Sequence, residues 1–493
     1  KLIYEIGKEI GRQCKTLGLH INFAPVVDIN NNPHNPIIDR RSFGSDRASV
    51  ASNSLSYMLG LQSNNILACA KHFPGHGDTE IDSHKGLPVL NYDRSRLDSL
   101  ELFPFRKLIN QGLGSVMVAH MNLPLIDTLN IPSSFSKKII QDILIDDMSF
   151  QGLVITDALN MGALSDYSSA GEREFNAFLA GNDILLCPSN IPQAMKYIKS
   201  AVSNDSTLLK QLNSSCHKIL MLKRWTAHED TLLSNDKLTN ARSLSLSREA
   251  SAKSITVLKN NSSIIPINNI DDQKIAYLHM GDDEGDDFYN RLNSYFPISK
   301  YTFNSHIENS NIPISNNLKS HIQLMKDINQ YDKVIIGVHY KNNTFWDKHI
   351  MSASDSLFLN QLIMKTSAIV AVFAHPYILN SINPQFVDGL ILSYQNSYDA
   401  QDLTAQAILG ALSLSGRLPR LLNHFKEGDG IDVESLNNIS FVPPFNVNMS
   451  NDSLLKIDSL VHYAISTHAI PGCQVVVARN GSIFYNKSFG FHT

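Results

Sequence analysis

Up to about residue 205, short apolar runs alternate with longer stretches whose apolar positions recur at helical spacing. The short runs fall at 21–27, 66–70, 115–119, 153–156 and 183–186. Their length and near-continuous apolar character predict strands buried on both faces. Between them, 97–110, 137–146 and 172–180 read as helices, the last stopped by Gly181. Another begins the chain, with Leu2, Ile3, Ile6 and Ile10 on one face. Repeated βα units predict an α/β fold with a parallel sheet. They suit an N-terminally incomplete (β/α)8 barrel of TIM type better than an open sheet, although periodicity alone does not separate the two.

Polar clusters follow each predicted strand: 28–41, 71–84, His120-Met121-Asn122, Asp157 and Pro188-Ser189-Asn190. In a barrel these converge at the C-terminal ends of the strands. Residues 206–250 read as helix and linker. A second α/β segment follows, with strands at 275–278, 333–338, 369–373 and 389–392 and helices near 288–295, 354–366 and 400–412. It carries no glycine-rich phosphate loop and reads as a smaller doubly wound sheet. Beyond about 425 come a helix at 453–467 and a hairpin at 473–491 turning on Asn480-Gly481. The expected organisation is a partial catalytic barrel at 1–225, a linker at 226–250, an α/β sandwich at 251–425 and a truncated third domain at 426–493.

Composition narrows the function classes. At 493 residues and 43% hydrophobic content, the chain can build more than one large core. A net charge of −4 gives no basic field for nucleic acid. No apolar run is long enough to cross a membrane as a helix. Cys14, Cys69, Cys187, Cys216 and Cys473 are scattered, which disfavours zinc clusters and a disulfide framework. The uncapped helical start at Lys1 and the stop just after a hairpin make an internal piece of a longer protein the expectation, so compartment cannot be read from the absence of a leader.

The chemistry concentrates in KHFPGHGDTEIDSH, 71–84. Imidazoles, an ammonium and carboxylates are interrupted by Pro and Gly at the end of a buried strand, a mixture with little use in a core. Asp82 and His84 lie two apart, so in an extended segment they project to one side and the carboxylate can orient the imidazole. Asp157 ends another strand, where an acidic residue serves either as a helix cap or as a catalytic carboxylate.

Together, KHFPGHGDTEIDSH and the later GLVITDALNMGAL (152–164) resemble the signature pair of glycoside hydrolase family 3, in its bacterial β-N-acetylglucosaminidase branch. NFAPVVDINNNPHNPIIDRRSFGSD (22–46), AGNDILLCP (180–188) and REASAKSITVLKN (from Arg248) are similar to other segments of that family. The resemblance covers about residues 1–420 and implies a (β/α)8 barrel followed by an α/β sandwich. It further implies Asp157 as nucleophile, His84 as acid/base oriented by Asp82, Lys71 and His72 as sugar-binding groups and Arg41 in the sugar subsite. No cofactor follows from it. The implied reaction is retaining hydrolysis of a terminal β-linked N-acetylglucosamine.

Blander roles compete at several positions. His76 and Asp78 are read as loop braces, and Asp28 as support for the following turn. Arg41 follows Arg40, and either suits a structural ion pair. His72, His76, Asp82 and His84 have metal-ligand chemistry but no compact ligand spacing, so the metal expectation is none. The acidic run 282–287 lacks the pattern of a calcium loop and reads as solvated.

IPGCQVVVARNGSIFYNKSFGFHT (470–493) resembles the start of serine hydrolases of the class C β-lactamase and penicillin-binding type. Ser453-Leu454-Leu455-Lys456 matches their Ser-x-x-Lys letters but precedes the hairpin and is read as a decoy. Such a fusion implies work on peptidoglycan fragments, a muropeptide or other N-acetylglucosamine-containing glycan as partner, and a periplasmic or cell-surface location. A β-glucosidase or β-xylosidase of the same family and an inactive glycan-binding scaffold are the alternatives. Aglycone, oligomeric state and the choice between water and phosphate as acceptor stay open.

Overall fold

The computed structural model describes residues 1–227, 238–282, 286–303, 314–340 and 351–491, with the backbone alone for 314–320. Part of the predicted linker and of the acidic run 282–287 lies outside the described residues. The chain divides into two compact units, Lys1–Asn240 and Ala241–Thr493.

The first unit is built on a parallel sheet in sequential order: β1 (Ile21–Asn22), β2 (Leu67–Phe73), β3 (Ser115–Val118) and β4 (Leu153–Thr156). An isolated parallel bridge from Ile155 to Ile184 continues that order into the fifth predicted run. Alternation divides the side chains between two faces. Ala68, Ala70, Val116, Val118 and Val154 enter the large core with Met58, Phe105 and Ile140 of the flanking helices. Leu67, Cys69, Met117, Leu153 and Ile155 face the other way, where Ile219 and Leu222 of helix Ser206–Thr226 pack on them. Each fully buried Leu or Ile contributes about 1.5–3 kcal/mol.

Helices Leu2–Thr16 and Arg47–Gln62 cross at glycines: a Cβ on Gly7 would lie 2.4 Å from the Tyr57 carbonyl oxygen, and one on Gly60 2.3 Å from that of Tyr4. The predicted helix 97–110 is instead two, Arg94–Ser99 and Leu102–Ile109. Leu100 leaves helical geometry (φ −126°, ψ −73°), and the following buried Glu101 pairs with Arg96 at 3.1 Å. The run at 137–146 forms a π-helix, Lys138–Asp147, burying Ile139, Ile140, Ile143 and Leu144.

The second unit holds a six-stranded sheet. Its strands are β5 (Thr256–Asn260), β6 (Ile275–Gly281), β7 (Ser299–Phe303), β8 (Lys333–His339), β9 (Ala368–Phe373) and β10 (Gly389–Leu392), in the order β5-β10-β9-β8-β6-β7. Only β5 is antiparallel to its neighbour. The chain leaves β6 for β7 on one side, then crosses to β8 on the other, a doubly wound order. β5 and β7 were not among the predicted strands; β7 is a half-exposed edge strand without an apolar run. Residues 241–250, expected as linker, belong to helix Ala241–Ser254, which buries Leu246 and Arg248.

The same unit ends in a small sheet of β11 (Ser440–Phe441), β12 (Gly472–Arg479) and β13 (Ser482–Gly490), ordered β11-β13-β12. The hairpin turns where predicted, with Asn480 (φ 52°) and Gly481 (φ 75°) supplying the positive φ angles of a tight turn. β11 is anchored by Gln406, whose amide oxygen accepts the Phe441 N–H at 2.8 Å and whose amide nitrogen donates to the Phe441 carbonyl at 2.8 Å. Ser453 and Lys456 are exposed on helix Asn451–Ser466.

Candidate active site

β2 and β4 deliver their terminal residues to one face. Lys71 continues the Leu67, Cys69 series and Asp157 the Leu153, Ile155 series, with Met117 in register between Lys71 and Ile155. Asp157 is locked to the neighbouring strand through its N–H, which donates to the Val118 carbonyl at 2.8 Å.

Behind this face, Asp28 organises the start of the loop. Its buried carboxylate accepts the His72 backbone N–H (3.1 Å to each oxygen), the His72 Nδ1–H (2.7 Å) and the His76 N–H (2.7 Å). Burial opposes its ionisation, but the pull of His72 and then of His76 holds Asp28 below the usual carboxylate range. On its other edge, His72 Nε2 accepts from the Arg41 guanidinium at 3.2 Å. Arginine only donates, so the ring is fixed as the Nδ1–H tautomer. Both His72 nitrogens are therefore engaged within the protein, and Arg41 is joined through His72 to Asp28. Burial, with Arg41 nearby, lowers the Lys71 ammonium from its ordinary value.

His76 braces the loop: Nδ1 contacts the Thr79 hydroxyl at 2.7 Å and Nε2 the Ser83 hydroxyl at 3.2 Å. Burial, and after it His72, pushes His76 down to about 4, so the ring is neutral. Asp78 accepts from Tyr92 and from Arg96, the latter at 3.4 Å, which also braces the loop.

Asp82 Oδ1 accepts both the His84 backbone N–H at 2.8 Å and His84 Nδ1–H at 2.9 Å. Asp82 is buried, whereas the His84 side chain is 50% exposed. The carboxylate thus fixes the ring and leaves proton exchange to Nε2. The segment after Asp157 packs on this pair: Ala163 N–H donates to the Ser83 carbonyl at 3.1 Å, and a Cβ on Gly162 would lie 2.4 Å from the His84 carbonyl oxygen. The dyad and Asp157 therefore occupy touching loops.

The partly buried Asp157 commits Oδ1 to the Ala158 N–H at 2.8 Å. Among the described residues no hydrogen bond reaches Oδ2. Burial raises the cost of its charge, but His72, His120, the Ala158 N–H and Lys71 more than offset this, and the carboxyl sits below its ordinary value. It is an anion beside the Lys71 ammonium. Asp157 does not cap a regular helix, since only a short 3-10 turn, Gly162–Leu164, follows it.

Sequence reasoning did not single out two groups. One is Asp28 as the anchor of His72, and the other is His120, fully buried between Ser134 Oγ (2.7 Å) and the Ala158 carbonyl (3.1 Å). The only signal for His120 was its place after the third strand. Among the described residues no three His, Cys, Asp or Glu side chains converge as a metal-holding group; His72 and His76 spend their ring nitrogens on protein partners. No described helix is long and apolar enough to cross a membrane.

Fold and site define an α/β protein whose parallel strands end in a carboxylate and an imidazole–carboxylate pair. Residues 1–222 match the model of the Glycosyl hydrolase family 3 N terminal domain. It is similar to the β-hexosaminidase A of Pseudoalteromonas piscicida, 32% identical over 300 residues, covering 56% of this chain and 50% of the relative. It is also similar to the β-N-acetylglucosaminidase/β-glucosidase of Cellulomonas fimi, 30% identical over 272 residues, 52% of this chain and 48% of the relative. The chain spans about half the length of these relatives. Among solved structures, a glycoside hydrolase family 3 β-N-acetylglucosaminidase from Paenibacillus superimposes with a TM-score of 0.64 at 26% identity, over 85% of this chain and 81% of that one. The β-glucosidase of Listeria innocua shares the fold, with a TM-score of 0.69 at 17% identity over 85% and 61%.

Proposed function

We propose that this chain is the catalytic part of a retaining exo-β-N-acetylglucosaminidase, with Asp157 as nucleophile and His84, oriented by Asp82, as acid and base. The observation that carries it is the half-exposed His84 held on a buried carboxylate, in a loop bonded to the one that follows Asp157. The named relatives support the choice of sugar.

In the first step Asp157 Oδ2 attacks the anomeric carbon while protonated His84 gives its Nε2 proton to the departing oxygen, leaving a glycosyl ester on Asp157. Neutral His84 then takes a proton from water as that water displaces the ester, so the configuration is retained. Lys71 and Arg41 hold sugar hydroxyls at the rim, with His72 setting Arg41 in place. The parallel strands that carry these residues belong to a (β/α)8 barrel whose strand ends wall the site. Residues 426–493 begin a serine hydrolase domain, and the substrate is a muropeptide or related glycan outside the cytoplasm.

The test is turnover of aryl β-N-acetylglucosaminide against aryl β-glucoside and β-xyloside, with the product anomer followed by NMR. His84→Ala should slow a natural disaccharide by about 10²- to 10⁴-fold and an activated aryl glycoside less. Turnover within a few-fold of wild type on both substrates sinks the assignment.

A further inference from the structure

His120 belongs to a buried chain of hydrogen bonds that ends on the putting-in-place of one carboxylate oxygen. The Asn182 amide nitrogen donates to the Ser134 carbonyl at 2.9 Å and to the Ala177 carbonyl at 2.7 Å. Ser134 Oγ meets His120 Nδ1 at 2.7 Å, and His120 Nε2 meets the Ala158 carbonyl at 3.1 Å. A carbonyl only accepts, so Nε2 carries the proton and Nδ1 accepts from the serine hydroxyl. Asn182, Ser134 and His120 are all buried, His120 completely. Burial lowers His120 from its ordinary value, which keeps the ring in this neutral tautomer.

The far end of the chain is the peptide that follows Asp157. The two peptide groups of Ala158 are both held: its carbonyl accepts from His120 Nε2 at 3.1 Å, and its N–H, in the peptide joining it to Asp157, donates to Asp157 Oδ1 at 2.8 Å. Granting Asp157 as nucleophile, on which this inference rests, we propose that His120 is a positioning residue that fixes residues 157–158 so that Oδ1 stays on the Ala158 N–H and Oδ2 is presented to the sugar. It touches no substrate. Its work is orientation, and a misplacement of about 1 Å at a reacting atom costs roughly 10²-fold in rate.

The experiment is covalent labelling of the full chain with a 5-fluoro N-acetylglucosaminyl fluoride, timed by intact mass, alongside competitive inhibition by N-acetylglucosamine. His120→Ala should slow labelling by about 10²-fold with sugar affinity unchanged. His120→Gln, which returns an N–H near the Nε2 position, should recover most of the rate. Labelling of His120→Ala at the wild-type rate overturns the positioning role while leaving the nucleophile intact. Slow labelling accompanied by an equal loss of sugar affinity, with no recovery in His120→Gln, also overturns it, since that marks general disruption. A wild-type chain that is never labelled on Asp157 overturns the nucleophile assignment itself.

Discussion

A neutral, buried His76 gives the first unit a built-in sensitivity to acid. The ring sits between Thr79 and Ser83 with its pKa pushed down to about 4 from an ordinary 6.5. Above pH 6.5 it is neutral folded or unfolded and contributes no pH dependence. Between 6.5 and 4 the unfolded chain binds a proton that the folded chain refuses, so stability falls as pH falls through this window. The difference of about 2.5 pKa units corresponds to a loss of roughly 3 kcal/mol by pH 4. His76→Gln removes the titration but weakens two hydrogen bonds, a cost of about 1–3 kcal/mol at neutral pH. The variant should therefore be the less stable protein at pH 7.5 and draw level with or overtake wild type near pH 4. Urea unfolding in a Trp346→Phe background isolates Trp225, the other of two tryptophans and part of the first unit. Parallel pH profiles for the two proteins would refute the reasoning.

Gly162→Ala should place a methyl against the His84 backbone, 2.4 Å from its carbonyl oxygen, so the two loops must shift apart at a cost of about 1–3 kcal/mol in stability; kcat/KM is expected to fall by roughly 10-fold or more, on the order of the penalty for misplaced catalytic groups. Wild-type kinetics would show that the contact does not position the dyad. In the second unit, Gln406→Ala removes two bonds to Phe441 and one to Asp402. A loss of roughly 2–3 kcal/mol is expected from the buried groups left unpaired, with faster proteolysis around 436–443, and unaltered protection there would count against Gln406 as the anchor of β11.

The parts of the fold legible in the sequence were those whose apolar pattern is local. β2, β3 and β4 announce themselves as short runs buried on both faces, and Asn480-Gly481 fixes the hairpin by the positive φ it permits. What stayed hidden depends on partners distant in sequence. β7 is a half-exposed edge strand that pairing with β6 creates, and the break at Leu100 follows from burying Glu101 against Arg96. In the site, the Asp82–His84 pair was readable because its members are two residues apart. The Asp28–His72–Arg41 chain and the Ser134–His120–Ala158 chain each join separate loops, and no spacing within one segment discloses them.

Peptide mapping of the full chain after reaction with the 5-fluoro N-acetylglucosaminyl fluoride tests the proposed chemistry most directly. A single glycosyl ester on Asp157, absent from Asp157→Asn and slow to form in His84→Ala when the leaving group is poor, is the expected result. Brisk hydrolysis of aryl β-N-acetylglucosaminide by Asp157→Asn, or an ester on a different carboxylate, contradicts it.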